Sequence, residues 1–377
     1  MKIQITEDLK ETRAVIKVVG VGGAGGNAVN RMVEAGLRGV ELIAANSDAQ
    51  DLRRSLAEVR IQLGETITKG LGVGGDPVKG RTAAEESQQH LDEVVSGADM
   101  VFVTAGMGGG TGTGGAPVVA GLAKAAGALT IGVVSRPFGS EGLLRANLAE
   151  AGIQEMRKSV DTLLVIPNDR ILDIVEDDTP AHEAFRLADD VLRKAVQSIS
   201  DVITMPGTIN VDLNDLRAIM KDAGEALIGM GEASGPGRAL RAAKSAVTSP
   251  LLENVVIDGA KGILVNVTRS KSMTMKEIDE VGNFIKGQAS PDARTKNGHA
   301  YDESLGEAIR VTVIATGFPP QRGNRNLLRA GLKPGGLAAR YQPLAPGSQP
   351  DSRLAAGSSQ DEWMKPAFLR LKSRKLK

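Results

Sequence analysis

The residues with the clearest chemical potential lie in a turn at positions 107–115, which consists almost entirely of glycine and threonine. An apolar run at 98–105 precedes the turn and is typical of a buried strand, and residues 116–124 after it are typical of a helix. Glycines in such a turn let backbone N–H groups approach an anion, and a helix N-terminus favours negative charge. A mobile loop is the alternative, but so many glycines between two buried elements favour phosphate binding.

A second glycine-rich turn, at 20–27, follows a predicted strand and opens a predicted helix with G-x-G-x-x-G spacing. This spacing alone suggests a dinucleotide site. The acidic residue expected at the end of the second strand is missing, because Asn46 stands there, and the chain contains no G-x-x-x-x-G-K-[ST] sequence. Two glycine turns therefore predict a nucleotide with several phosphates.

Strands and helices alternate along the first half of the chain, which predicts a doubly wound α/β fold with a parallel sheet. Ligands bind such sheets outside the carboxyl ends of the strands. Both glycine turns, Asn46 and Asn168 follow predicted strand ends, so we expect them to meet in one crevice. A long helix at 181–203 would join this domain to a smaller α/β domain, with helices at 212–223, 236–247 and 275–286 and strands at 262–268 and 309–316.

Composition restricts the class of protein. The 377 residues include no cysteine, which excludes disulfides and thiolate metal sites. The first residues form no apolar signal segment, and we expect a cytoplasmic protein. His90, His182 and His299 form no cluster in the sequence, so no metal-ligating residue is assigned.

The end of the chain differs from the rest in charge and composition. Residues 321–377 carry twelve Lys/Arg and three Asp/Glu, although the whole chain has a formal net charge of only +1. Residues 321–360 are rich in Gly, Pro and Ser and predict a disordered linker. Residues 363–370, from Trp363 to Arg370, predict a peptide that docks in a partner groove; a stray apolar end is the alternative. The basic residues after it either contact anionic lipid or serve as solubilising charge.

Taken together, these motifs resemble the FtsZ family of tubulin-like bacterial cell-division GTPases. The resemblance covers residues 12–318 and the tail at 366–370, and the matching stretches are 20–27, 68–72, 105–107, 109–114, 137–138, 166–169, 210–212, 248–253 and 311–317. It implies a tubulin-like fold with an N-terminal extension (1–11), a GTP-binding domain (12–175), a central helix (176–205), a C-terminal GTPase-activating domain (206–318), a basic linker (319–360) and a partner-binding tail (361–377).

The resemblance also implies GTP or GDP as the nucleotide, with Mg²⁺ held mainly through phosphates and water. Asp190 would accept hydrogen bonds from guanine N1–H and its exocyclic amine, which adenine does not offer. Without the family, Asp190 would be part of a solvated helix face, and Glu141 with Arg145 an ordinary surface pair. The implied nucleotide-binding residues are Gly22, Gly23, Ala24, Gly25, Gly26, Asn27, Asn46, Gly108, Gly109, Gly110, Thr111, Gly112, Thr113, Gly114, Glu141, Arg145, Asn168, Phe185 and Asp190.

Asp212 and Asp215 lie three residues apart at a predicted helix start and therefore share one face. Helix capping and compensation of the helix dipole would explain them without any catalytic role. The resemblance implies that these carboxylates, with Asn210, project into the nucleotide site of the next subunit and position the attacking water there.

The chain departs from the family pattern at two places. Asp189 stands where the family usually has Asn beside the guanine-reading Asp. Residues 294–299, from Arg294 to His299, are polar where the family usually has an apolar strand. We expect that strand to be shortened, at an edge, or lost.

The predicted function is a GTPase that polymerises head to tail and forms the cytokinetic ring in bacterial division. It would act on the inner face of the membrane at the division site, with membrane adaptors or division regulators binding the tail and no nucleic acid as partner. One alternative is a tubulin-like filament protein for segregation or cell shape. A remote alternative is an NAD-dependent Rossmann oxidoreductase.

Overall fold

The computed structural model describes residues 14–176, 178–204, 211–252, 259–269 and 272–318. The predicted linker and tail and Asn210 lie outside these residues. The strands are β1 (Ile16–Val21), β2 (Glu41–Asn46), β3 (Val59–Gln62), β4 (Met100–Gly106), β5 (Leu129–Arg136), β6 (Thr162–Pro167), β7 (Gly224–Ala233), β8 (Gly262–Arg269), β9 (Arg294–Tyr301) and β10 (Ile309–Thr316). The α-helices are α1 (Gly22–Glu34), α2 (Ala49–Arg53), α3 (Glu65–Thr68), α4 (Pro77–Glu86), α5 (Gln88–Val95), α6 (Thr111–Ala125), α7 (Leu143–Ser159), α8 (Asp169–Leu172), α9 (Ala181–Thr204), α10 (Leu213–Met220), α11 (Arg238–Val247) and α12 (Met275–Lys286).

The described strands form one ten-stranded sheet in the order β3-β2-β1-β4-β5-β6-β7-β10-β8-β9. The first six strands in this order are parallel, as the alternating pattern predicted. The order of the strands reverses between β1 and β4: β2 and β3 lie on one side of this point, and β5 and β6 lie on the other. Open α/β sheets bind ligands at such a position. Both glycine turns follow these two strands, so the topology brings them together.

The sheet continues without interruption into the second half of the described chain. β7 pairs in parallel with the start of β6, and β10 lies antiparallel to both β7 and β8. The sequence pattern did not predict β7, because its segment contains glycines where strands usually carry branched side chains. These glycines admit α11: a Cβ at Gly229 or Gly231 would collide with the carbonyl oxygens of Ala246 or Ala242. The proposed domain boundaries remain predictions.

The polar strand at 294–301 is present and lies at the edge of the sheet, parallel to β8. Its first half is largely exposed, whereas its later residues Gly298, His299 and Ala300 are buried or face α9, where a Cβ on Gly298 would meet Val202. An edge position explains how the strand tolerates polar residues, because one of its sides has no neighbouring strand to cover.

Helix α9 is the longest of the described helices, and 24 residues at 1.5 Å per residue give it a length of about 36 Å. Its apolar face, which includes Leu192, Val196 and Ile199, packs with α1 and α10 against one face of the sheet. Helices α4, α5, α6 and α7 cover the other face. None of the helices in the described residues is long and apolar enough to cross a membrane.

Helix α4 packs directly against the glycine-rich segment 107–115. Helix α4 begins at Pro77 behind the Asp76 cap, and Ser87 separates it from α5. A Cβ at Gly80 would collide with Gly110, so α4 lies against the loop without any intervening side chain. A Cβ at Gly114 would likewise overlap the carbonyl oxygen of Pro77 and lie 2.5 Å from the backbone nitrogen of Arg81.

Gly114→Ala is therefore expected to lower the free energy of unfolding by about 2 kcal/mol or more, because backbone atoms on both sides must move. Gly121→Ala in the same helix is the matched control. A Cβ at Gly121 meets nothing within 4 Å, so this variant should gain about 0.5–1 kcal/mol from helix propensity. Denaturant unfolding of both variants provides the measurement. Equal stability of the two would contradict this description of the α4–α6 contact.

Candidate nucleotide site

Two helix N-termini point into the same crevice. Helix α1 begins at Gly22 directly after β1, and α6 begins at Thr111 just after β4. Neither helix has a side-chain hydrogen bond at its N-cap, and neither carries an acidic residue in its first turn. The first N–H groups of a helix need an acceptor from outside the helix. Two uncapped N-termini side by side favour a ligand with negative charge.

A cavity of about 430 Å³ opens between these two helix starts and the beginning of α9, a volume within the usual range of small-molecule sites. The residues that the sequence predicted and that line it are Gly22, Gly23, Ala24, Asn27, Gly109, Gly110, Thr111, Gly112, Glu141, Arg145, Asn168 and Phe185.

Three predicted residues of the glycine-rich segment shape the loop without lining the cavity. The Gly108 backbone N–H donates to Thr113 Oγ1 over 2.8 Å, which closes the loop onto the first turn of α6. Gly108 has a φ of 99°, a conformation that favours glycine. Gly114 makes the α4 contact described above. Gly25 and Gly26 also lie outside the cavity lining; Gly25 instead packs against β1 and β4, where a Cβ would meet the carbonyl oxygen of Thr104.

Asn46 lies in a second cavity that adjoins the first and shares Gly23, Gly110 and Thr111 with it. Its side-chain amide donates to Asp51 Oδ2 over 2.7 Å. Burial and then the neighbouring Asp48 raise the pKa of Asp51, although the Asn46 hydrogen bond opposes this. Ser47 Oγ and Thr111 Oγ1 are 2.6 Å apart and connect this loop to the start of α6.

The opposite end of the main cavity suits a planar base. Phe185 is 51% exposed and stands edge-on to Phe138, with 5.1 Å between the ring centroids. Asn168 also lines this cavity; it is buried just after the end of β6, and its Oδ1 has no hydrogen-bond partner within the described chain. A buried acceptor without a partner is costly, so this atom favours a ligand with a donor.

Glu141 and Arg145 form the ion pair that their spacing predicts, with 3.0 Å between Arg145 Nη1 and Glu141 Oε2. Glu141 Oε1 also accepts the Phe138 backbone N–H over 2.8 Å. These contacts hold the carboxylate at the cavity wall while the guanidinium remains half-exposed. Arg145 therefore supplies a positive charge beside the cavity, available to a phosphate.

The structure places Asp189 at the cavity and turns Asp190 away from it. Asp190 pairs instead with Arg193 at 2.6 Å and Lys194 at 3.0 Å on its own helix. Burial opposes ionisation of Asp190, but hydrogen bonds from these two cations outweigh it and lower its pKa. Asp190 was predicted to line this site, but of these two residues only Asp189 lines the cavity.

Asp189 has a distinct electrostatic environment. Burial raises the pKa of its carboxyl to about 7, and the nearby Arg31 only partly offsets the effect. A carboxyl of this kind gains from any ligand that donates hydrogen bonds to its ionised form.

Asp212 and Asp215 lie at the start of α10, and neither lines the nucleotide cavity. Asp212 caps the helix by accepting the Asp215 backbone N–H over 2.6 Å. Farther along α10, Arg217 donates to the carbonyl of Asp99, the residue before β4. Helix α10 therefore lies at the amino ends of the strands, whereas the cavity lies at their carboxyl ends.

The described residues contain no group of three or more His, Asp or Glu side chains that could hold a metal ion. His299 is buried in β9, where desolvation and then Arg269 lower its pKa.

Some residues that line the cavity were not among the predicted nucleotide-binding residues: Val21, Gly106, Met107, Ser135, Pro137, Ala188 and Asp189. Ser135 and Pro137 lie at or just beyond the end of β5, and the strand-end rule that located Asn46 and Asn168 would have found them. Asp189 lies four residues after Phe185, the spacing that keeps two side chains on one helix face.

The residues present fit a nucleoside polyphosphate. The uncapped helix starts and Arg145 match a polyphosphate, and the half-exposed Phe185 ring and the partnerless Asn168 Oδ1 match a base with donors. A Cβ at Gly109 would meet nothing within 4 Å, so the backbone of the loop faces open space at that point. Both ends of the ligand thus find complementary groups in one crevice.

Comparison with known proteins agrees with a nucleotide site. The model of the Tubulin/FtsZ family, GTPase domain, matches residues 15–176, and that of the FtsZ family, C-terminal domain, matches residues 224–319. An empty FtsZ dimer from M. jannaschii is 43% identical, with a TM-score of 0.79 over 82% of this chain and 90% of that chain.

Two solved structures from Haloferax volcanii share the fold at lower identity. A GTPγS-bound CetZ2 protofilament is 20% identical, with a TM-score of 0.70 over 84% of this chain and 96% of that chain. A GDP-bound CetZ1 monomer is 24% identical, with a TM-score of 0.67 over 81% and 95%. Two matched domains and a 43% identical relative that spans most of both chains are decisive: the chain belongs to the tubulin/FtsZ family of GTPases.

Proposed function

We propose that this protein polymerises head to tail and that each of its GTP sites is completed by α10 of the adjoining subunit. The filament would form the cytokinetic ring in bacterial division. The observation that carries the proposal is the position of the predicted catalytic carboxylates within one chain: Asp212 and Asp215 lie at the opposite end of the strands from the nucleotide cavity.

The distance between the two ends supports action between subunits. The first turns of α9 lie beside the cavity, which Phe185 and Asp189 line. The helix ends at Thr204, which lies against Gly39 just before β2. Nineteen residues of helix separate Phe185 from Thr204, which corresponds to about 28 Å. Helix α10 follows α9, and its Arg217 contacts the Asp99 carbonyl before β4, so Asp212 and Asp215 would not reach the nucleotide of their own chain. Head-to-tail stacking would bring them to the nucleotide of the next one.

The chemistry suits groups brought in by a neighbour, because catalysis of phosphoryl transfer is mostly positioning and charge stabilisation. Asp212 and Asp215, with Asn210, would orient a water and accept its proton as the water oxygen bonds to the γ-phosphorus. The bond from that phosphorus to the bridging oxygen breaks, and GDP and phosphate result. Mg²⁺, held mainly by phosphate oxygens and water, would neutralise charge on the β- and γ-phosphates.

Asp189 is the proposed guanine-reading residue. An ionised carboxylate at this position accepts the N1–H and the exocyclic amine of guanine together, and adenine leaves it unpaired. Phe185 would contact the face of the base, and the Asn168 Oδ1 would receive a donor. Asp190 pairs with Arg193 and Lys194 on its own helix and balances their positive charge.

The remaining partners are inferred from the sequence. Residues 363–370 would bind membrane adaptors or division regulators and so hold the filament at the inner face of the membrane. A tubulin-like filament for segregation or cell shape is a weaker alternative, since the CetZ structures at 20% and 24% identity show only the fold. Because the chain belongs to the tubulin/FtsZ family, the oxidoreductase alternative is excluded.

The affinity for GTP should depend on pH through Asp189. In the free protein its pKa is about 7, and the guanine donors favour the ionised form, so binding below pH 7 must first release a proton. Affinity is therefore full above pH 7 and falls as the pH drops, with Kd rising about tenfold from about pH 8 to about pH 6. Equilibrium binding to unassembled protein measures this dependence.

Two variants separate this effect from titration of the phosphates of GTP. Asp189→Asn should bind with a weaker pH dependence, and Asp190→Asn should keep the wild-type profile. If Asp189→Asn titrates like the wild type, Asp189 does not contact guanine.

Asp212→Asn tests the hydrolytic role, because Asn preserves the helix cap. The variant should bind GTP with wild-type affinity and lose about 10²-fold or more of its assembly-stimulated turnover. Gly109→Asp is the complementary variant: it places a carboxylate in open space facing the phosphates and should fail to bind GTP while keeping α10 intact.

A mixture of the two variants tests action between subunits. Helix α10 of a Gly109→Asp subunit can complete the site that holds the GTP of an Asp212→Asn subunit. The mixture should therefore hydrolyse GTP faster than the sum of the two proteins alone. Wild-type turnover by Asp212→Asn would refute the catalytic assignment. A purely additive mixture would refute the shared site.

A further inference from the structure

One lysine of the edge strand β9 contacts Asp215, a proposed hydrolytic residue. Lys296 Nζ lies 2.7 Å from Asp215 Oδ1, and the two side chains are 41% and 39% exposed. Lys296 belongs to the polar segment 294–299, where the family pattern predicted an apolar strand. The departure from the pattern thus places a cation on a carboxylate of α10.

The two carboxylates at the start of α10 are held in different ways. Asp212 is fixed by the backbone, because its Oδ1 accepts the Asp215 N–H. The side chain of Asp215 is held from outside its helix by Lys296. Arg217, the cation nearest in sequence on α10, donates to the Asp99 carbonyl. Lys296 is therefore the described cation that compensates this pair.

We propose that Lys296 is a positioning residue for Asp215 and that it lowers the electrostatic cost of subunit association. The proposal rests on the proposed function, in which this surface meets a triphosphate. Two free carboxylates would repel the phosphates of the neighbouring subunit, and Lys296 reduces their net charge from −2 to −1. Complementary charge across an interface favours association, and like charge opposes it.

A purely structural role for Lys296 makes different predictions. An ion pair that only ties β9 to α10 affects the free energy of unfolding and leaves the critical concentration for assembly of the folded protein unchanged. Repulsion between partly exposed charges is screened: the Debye length falls from about 30 Å at about 0.01 M salt to about 3 Å at about 1 M. The salt dependence of assembly therefore distinguishes the two roles.

The experiment compares Lys296→Met and Lys296→Arg with the wild type in GTP-dependent sedimentation. Lys296→Met should raise the critical concentration about threefold to fivefold at about 0.05 M potassium salt, the effect expected of a partly exposed charge. The ratio should shrink below about twofold at about 0.5 M, where screening is strong. Lys296→Arg, which keeps the charge, should stay within about twofold of the wild type at both salt concentrations.

Two control measurements separate subunit association from nucleotide binding and from folding. GTP affinity of unassembled Lys296→Met should equal that of the wild type, because Lys296 does not line the nucleotide cavity. Thermal unfolding of each variant shows that it is folded. A wild-type critical concentration for Lys296→Met, a deficit that salt does not change, or an equal deficit in Lys296→Arg would each overturn the proposal.

Asp212→Asn, assayed beside these variants, separates the two levels of inference. If Asp212→Asn is inactive in turnover and Lys296→Met assembles like the wild type, only the inference about Lys296 fails, and the proposed function stands. If Asp212→Asn retains full turnover, the proposed function itself fails.

Discussion

The structure depends on two helix N-termini that lie side by side without side-chain caps, at the point between β1 and β4 where the strand order reverses. Helices α1 and α6 each leave N–H groups that no residue of their first turn neutralises. Nothing within either helix can satisfy these donors, and no carboxylate in either first turn neutralises them, so the crevice favours a bound anion. The glycines serve this arrangement: they let α4 lie against the loop and α1 lie against β1 and β4.

The same sheet that creates the site also divides it from the groups proposed to complete catalysis. Parallel strands put every strand-end loop on one edge, and α9 carries the chain to the other edge before α10 begins. Asp212 and Asp215 therefore lie away from the nucleotide cavity of their own chain. A phosphate site with a fixed polarity at one end and carboxylates at the other suits a filament whose subunits all point in the same direction.

Sequence patterns predicted those parts of the fold that follow from local chemistry. The alternation of strands and helices and the strand-end rule placed Asn168 and both glycine turns at one cavity, whereas Asn46 lines the adjoining one. β7 was missed because Gly229 and Gly231 reflect close contact with α11, a tertiary constraint that no local pattern contains. Asp190 was chosen over Asp189 by likeness of sequence. Adjacent helix positions point about 100° apart, and only the position of α9 against the cavity decides between them. The Lys296–Asp215 contact joins distant segments and has no sequence signal at all.

The central claim, that hydrolysis belongs to the assembled form, is tested most directly by turnover per subunit as a function of protein concentration. If sites are completed only between subunits, specific activity is near zero at low concentration and rises steeply once filaments form. GTP binding should remain complete throughout this range. A specific activity that is constant from dilute monomer to assembled protein would contradict the claim, because it would mean that a single chain holds every group needed for hydrolysis.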